Sequence, residues 1–186
     1  MIYQAVIDDE VMSADRLDAA RLEAIVLRYQ YRLYRYLVRL VREPAAAEDV
    51  FQQTWLKAVR EIRRYDGRRS FDTWLFAIAH NAAVDQLRRT AGESLERQEL
   101  ELSSTAPDAL DLAMMAERST IVAAGMEALP ALYREALALR FEEGMKLEEI
   151  AEVTGAPLST VKSRVQRGLE ALRRQITSRC RKEDLL

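Results

Sequence analysis

Tyr29, Leu33, Tyr36 and Leu40 recur at i, i+4, i+7 and i+11, a spacing that puts them on one stripe of an α-helix but would scatter them over both faces of a strand. The same period returns along most of the chain and is broken mainly where proline or glycine interrupts it. With 6 Gly and 4 Pro in 186 residues, breakers are few. Ala, Leu, Arg and Glu dominate instead, side chains that lose little rotamer freedom in a helix. The expectation is an all-α fold of two small helical modules joined by a linker, the C-terminal module containing a helix-turn-helix.

Residues 1–14 carry no sustained period and read as an N-terminal extension. A first module spans 15–90. Its first helix runs from Asp15 to Val41, with Arg28, Arg32, Arg35, Arg39 and Arg42 on a face beside the apolar stripe. Pro44 interrupts it, and 45–64 restart the period with Phe51, Trp55, Ala58, Val59 and Ile62 turned inward. The segment Tyr65-Asp66-Gly67-Arg68-Arg69 breaks the pattern. Ser70 then serves as N-cap of a third helix carrying Phe71, Leu75, Ile78 and Ala82 to about Arg89. Residues 91–118 read as an acidic linker, and helix returns within them at about Leu112. The second module, 119–182, holds a helix starting at Pro130, with Leu132, Tyr133, Ala136, Leu137 and Phe141 inward, that stops at Gly144.

Charge is unevenly spread. The net charge is -2, yet Thr160–Lys182 holds eight basic residues against Glu170 alone, and Glu93–Glu117 holds seven acids against Arg97 alone. An acidic middle conceals a basic end, which suits release of counterions from phosphates.

That basic end contains Leu147-Glu-Glu-Ile150-Ala151-Glu-Val153-Thr-Gly155-Ala-Pro157-Leu-Ser159-Thr-Val161-Lys-Ser-Arg-Val165, two helices meeting across a turn. Ala151 is small where helices cross, Gly155 accepts a positive φ, Pro157 fixes the approach and Ser159 is placed to cap the second helix. Val161, Val165, Leu169, Leu172 and Ile176 form its buried stripe. Opposite lie Ser163, Arg167 and Arg174, flanked by Lys162, Arg164 and Gln166. Arg and Gln pair with base edges in the major groove, while Lys and Ser more often hold phosphates. The competing reading is a helical hairpin with a solvated polar face.

Other chemistries find little support. Cys180 and His80 are the single cysteine and histidine, too few for an internal disulfide or a Cys/His metal set. No cofactor, metal or catalytic residue is expected. The start MIYQAVIDDE lacks a basic n-region and an apolar h-region, and no apolar run reaches the roughly 18 residues a span needs. The expected location is the cytoplasm, without membrane association.

Together these segments resemble a bacterial RNA polymerase sigma factor of the extracytoplasmic-function class, which carries conserved regions two and four joined by a linker. The resemblance covers about residues 20–90 and 120–176. Ala47-Glu48-Asp49-Val50-Phe51-Gln52-Gln53-Thr54-Trp55 is similar to the family's helix that grips the clamp of the polymerase β′ subunit, which implies contacts from Glu48, Asp49, Gln52 and Gln53. The run from Tyr65 to Leu75 is similar to the loop that captures an unstacked base of the minus-ten element, implying roles for Tyr65, Arg68, Arg69 and Ser70. The stretch from His80 to Arg89 resembles the minus-ten helix, with Asn81 at its most informative position and Arg88 beside the DNA. The second module resembles region four, reading the minus-thirty-five element with Lys162, Ser163, Gln166 and Arg167. The partners so implied are core polymerase through its β′ clamp and β flap, promoter DNA, and an anti-sigma factor. One departure is Lys146, which stands where the family has a Ser or Thr cap: either the cap is lost or the lysine turns to a phosphate.

Trp55 and Trp74 read as core, and the arginine stripe from Arg28 to Arg42 as a solvated face, with a polymerase contact as the alternative. The favoured function is a transcription initiation factor without chemistry of its own. A stand-alone helix-turn-helix regulator is the alternative, but it leaves the Glu48–Gln53 surface and the Tyr65–Ser70 loop without a purpose. An enzyme using His80 or Asp85 is a third, and it has no nucleophile partner.

Overall fold

The computed structural model describes residues 19–91 and 117–183, with side chains over 20–90 and 121–177. The expected extension at 1–14 and most of the expected linker lie outside the described residues, as does the helix return near Leu112. The regular elements described are all helical. Helices α1 (Ala19–Val41), α2 (Pro44–Glu61), with a 3₁₀ turn at Ile62–Arg64, and α3 (Phe71–Ala91) form the first module. Helices α4 (Glu117–Glu127), α5 (Ala131–Leu137), a π-turn at Ala138–Glu142, α6 (Leu147–Thr154) and α7 (Leu158–Glu183) form the second.

Local chemistry sets these boundaries. Val41 ends α1 because Arg42 takes the left-handed conformation, φ 67°, and its N–H returns to the Val38 carbonyl at 2.9 Å. Glu43 then caps α2, its carboxylate accepting from the N–H groups of Ala45 and Ala46 at 3.1 and 2.6 Å, with Pro44 in the first turn where no N–H is needed. Ser70 caps α3, its hydroxyl accepting from the Thr73 N–H at 3.2 Å.

The first module closes on an aromatic nest. Phe71 meets Tyr29, Tyr65 and Trp74 with ring centroids 5.2 to 5.7 Å apart, and Tyr36 meets Phe76 at 5.2 Å, edge-on or tilted as ring quadrupoles prefer. Trp74 is buried and Trp55 half-buried against the same core. Val59, expected inward, is exposed, because Ala58 and Ile62 already fill the contact with the neighbouring helices.

In the second module α4 and α5 lie along α7. Gly168 makes this possible: a Cβ there would stand 3.1 Å from Leu137 Cγ and 3.3 Å from Tyr133 Cβ. Leu169, expected in the buried stripe, is exposed, since the glycine next to it takes the contact. Phe141 is also exposed rather than inward. The π-turn is the reason: the Glu143 N–H bonds the Ala138 carbonyl five residues back, at 3.1 Å, and the extra residue rotates everything after it.

The two modules share one core. Leu139, Met145, Ile150, Val153 and Val161 of the second join Tyr29, Leu33, Leu37, Ala79 and Ala83 of the first, with α6 seated on α3 and α5 on α1.

Gly168→Leu should destabilise the fold by about 1–3 kcal/mol, the range for overfilling a tight contact. Urea unfolding checks it, and an unchanged midpoint would mean that α5 does not press on α7 at this point.

Candidate nucleic-acid interface

In the helix-turn-helix, Gly155 ends α6 at φ 65°, as the turn requires. α7 starts at Leu158, earlier than expected, so Ser159 lies inside the helix. The entry is instead marked by Pro157, whose carbonyl accepts from the Val161 N–H at 3.0 Å. Val161 is buried, and on the outer face Lys162, Gln166 and Arg167 are exposed with Ser163 half-buried. Gln166 reaches along the helix to Glu170 at 3.3 Å, a weak, exposed contact that a base edge can displace. The face therefore offers amide, guanidinium and ammonium donors to solvent together.

The start of α6 resolves the Lys146 question in part. A protonated lysine has no lone pair to accept a helix N–H, but Glu149 bonds back to the Lys146 N–H at 2.7 Å, and Glu148 adds a second negative charge to the first turn. Half of a capping box is present, supplied by the carboxylate.

In the first module Glu48, Asp49, Gln52 and Gln53 are all exposed on the outer face of α2, while Val50, Thr54 and Ala47 face the core. Asn81 and Arg88 are likewise exposed along α3, and Arg68 and Arg69 on the loop before it. That loop is built rather than slack. Gly67 turns it at φ 68°, and Asp66 pairs with Arg68 at 3.2 Å.

Two residues expected to face DNA do not. Tyr65 is 9% exposed, with its ring in the aromatic nest and its hydroxyl donating to the Arg69 carbonyl at 2.6 Å. Ser70 spends its hydroxyl on the α3 cap and on Thr73 Oγ1 at 2.8 Å. Both hold the loop in shape and leave its arginines outward.

The arginine stripe of α1 departs most from expectation. Arg28 is exposed, but Arg32, Arg35, Arg39 and Arg42 are only part-exposed and are turned toward the second module. Arg32 bridges Asp72 at 2.8 Å and Glu143 at 2.7 Å. Arg35 meets Glu142 and Glu143 at 3.4 and 3.1 Å, Arg39 meets Glu127 and Glu142 at 3.5 and 3.1 Å, and Arg42 reaches the carboxylate and the carbonyl of Glu127. Beside them Glu135 accepts from the Tyr36 hydroxyl and contacts His80 Nδ1, at 2.7 and 2.6 Å. Burial, then the Glu135 charge, raises the Tyr36 phenol well above its ordinary range, so it stays a donor. Tyr29 is raised for the same reasons, with Asp72 as its partner. Arg134 lies fully buried behind this row, bonded to the carbonyls of Glu127 and Leu129 at 3.2 Å each. Burial, with Arg42 close by, lowers it to about 10, still charged at neutral pH.

His80 thus sits in the contact between modules, 13% exposed at its side chain. Among the described residues no cluster of three or more His, Cys, Asp or Glu is placed to hold a metal ion, and no helix is long and apolar enough to cross a membrane.

Comparison with known proteins matches both halves. Residues 25–93 match the family described as Sigma-70 region 2, and residues 120–172 the family described as Sigma-70, region 4. The ECF RNA polymerase sigma factor SigW of Bacillus subtilis is 30% identical over 165 residues, covering 82% of this chain and 87% of that protein. The RNA polymerase sigma-H factor of Pseudomonas aeruginosa is 32% identical over 172 residues, covering 87% and 89%. In fold the chain is similar to CnrH in complex with the cytosolic domain of CnrY (TM-score 0.65, 21% identity, 94% of this chain and 97% of that one). It is also similar to the sigma factor RpoE in complex with the anti-sigma factor NepR from Bartonella quintana (0.63, 23%, 83% and 96%). With an exposed polar face on α2, a second on α7, and both regions matched in that order, the chain belongs to the extracytoplasmic-function class of bacterial RNA polymerase sigma factors.

Proposed function

We propose that this sigma factor attaches to core polymerase through Glu48, Asp49, Gln52 and Gln53 on α2, seated on the β′ clamp, with the second module meeting the β flap. Arg68 and Arg69 line the path of the opened minus-ten strand, their loop braced by Tyr65 and Ser70. Asn81 and Arg88 face the minus-ten element along α3, while Lys162, Ser163, Gln166 and Arg167 read minus-thirty-five. It works in the cytoplasm as an initiation factor with no reaction of its own, and an anti-sigma factor is its restraining partner.

The observation that carries this reading is the pair of exposed polar faces on opposite modules of one chain. A stand-alone regulator needs only the α7 face and leaves that of α2 idle. Holding an opened strand also calls for cations and polar groups beside a flipped base. The exposed Arg68 and Arg69, on a loop pinned by the Tyr65 hydroxyl, supply them.

Adding the protein to core polymerase should yield transcripts from a specific set of promoters, read by sequencing RNA 5′ ends. Tight binding to duplex DNA without any association with core would favour the stand-alone regulator. Arg167→Ala should reduce discrimination at one minus-thirty-five position by about 1–3 kcal/mol, measured by binding to single-base variants. Equal loss on every sequence would make Arg167 a phosphate contact. Asn81→Ala should alter minus-ten preference and leave core binding intact, as judged by competition for core polymerase. Loss of core binding would remove Asn81 from the DNA surface.

A further inference from the structure

Beyond the reading surfaces, the structure contains a row of charges that faces no outside partner. Arg32, Arg35 and Arg39 stand at successive turns of α1 and Arg42 directly follows its last residue, and each reaches a carboxylate of the second module: Glu127 at the end of α4, or Glu142 and Glu143 after α5. Glu143 is 1% exposed at its side chain and held between two guanidinium groups.

Two backbone features serve this row. The π-turn at Ala138–Glu142 turns Glu142 and Glu143 toward α1 and leaves Phe141, an apolar residue, in solvent. Arg42 holds a left-handed conformation, φ 67°, where glycine is the unstrained choice. Its guanidinium bonds the Glu127 carbonyl and lies 3.7 Å from the Glu127 carboxylate. Irregular backbone is kept at both ends of one ion-pair network.

We propose that this network is an intramolecular latch. It holds the free sigma factor closed, in an arrangement that cannot read one promoter. On the function proposed above, the faces of both modules must engage one promoter at once. Elements centred near minus ten and minus thirty-five lie about 25 base pairs apart, roughly 85 Å of duplex at 3.4 Å per base pair. A compact chain of 186 residues has a radius of gyration of about 16 Å, so two faces of the closed form cannot reach both elements. The α2 docking face is exposed in the closed form. The factor therefore docks on polymerase closed and must release the latch before both elements are engaged. Because the network is part-buried and multiply connected, it outweighs isolated surface pairs, and salt screens it where water reaches it.

The test is energy transfer between dyes at Lys57→Cys and Gln175→Cys in a Cys180→Ser background, on the free full chain. The unaltered latch should give a high-transfer population. Glu142→Arg alone and Arg39→Glu alone should each lose most of it, with helical circular dichroism retained. Reversal of an exposed charge outside the row, Glu152→Arg, should keep the high-transfer population. High transfer in both row variants overturns the latch, as does an equal loss in Glu152→Arg. The readout needs neither polymerase nor DNA, so its failure is distinct from a failure to direct promoter-specific transcription.

Discussion

The Glu143 carboxylate, buried between Arg32 and Arg35, is the contact on which the arrangement of this molecule depends. A buried carboxylate without partners is costly, whereas here two guanidinium groups and the Asp72 carboxylate beyond Arg32 satisfy one another in a chain. Burial works against the Arg32 charge, but Asp72 and Glu143 outweigh it and raise its affinity for the proton. The same chain continues through the Asp72 contact with the Tyr29 hydroxyl into the aromatic nest of the first module. One connected set of side chains thus runs from the core of the first module to the turn before the helix-turn-helix.

That connection orders the rest. Seating the second module through Glu127, Glu142 and Glu143 brings α6 onto α3, where Ile150 and Val153 join Ala79 and Ala83. The residues turned inward are those that lock, and the residues turned outward are those assigned to polymerase and DNA. The proposed lock and the proposed reading surface therefore occupy different faces of α3, which meets the second module on one face and keeps Asn81 and Arg88 exposed on another.

Much of this was legible in the sequence, for reasons that are local. The period of Tyr29, Leu33, Tyr36 and Leu40, the break at Pro44, the Ser70 cap and the Gly155 turn depend on residues a few positions apart, and each stands where its chemistry requires. The α2 and α7 faces were legible for the same reason. The fate of the arginine stripe was not, because its partners lie as far as 111 residues away and nothing local distinguishes a solvated arginine from one paired across the fold. The π-turn has no local signature either: a helix wound five residues per bond has no composition of its own, so the regular period points Phe141 inward and does not mark Glu142 and Glu143. Gly168 did leave a signal, a glycine inside a strongly periodic helix, which marks close approach of a neighbour. Tyr65 shows a different limit, since an aromatic in a loop can be platform or buttress and only its burial decides.

On the proposed function, one chain uses α2 for polymerase and α7 for DNA in the same complex. Photo-crosslinking from Gln53 and from Gln166 within an assembled initiation complex tests it most directly. Gln53 should crosslink to the β′ subunit and Gln166 to promoter DNA near minus thirty-five, the latter dependent on core polymerase. Crosslinking of Gln166 to the same DNA without polymerase, with Gln53 joined to no subunit, would contradict it.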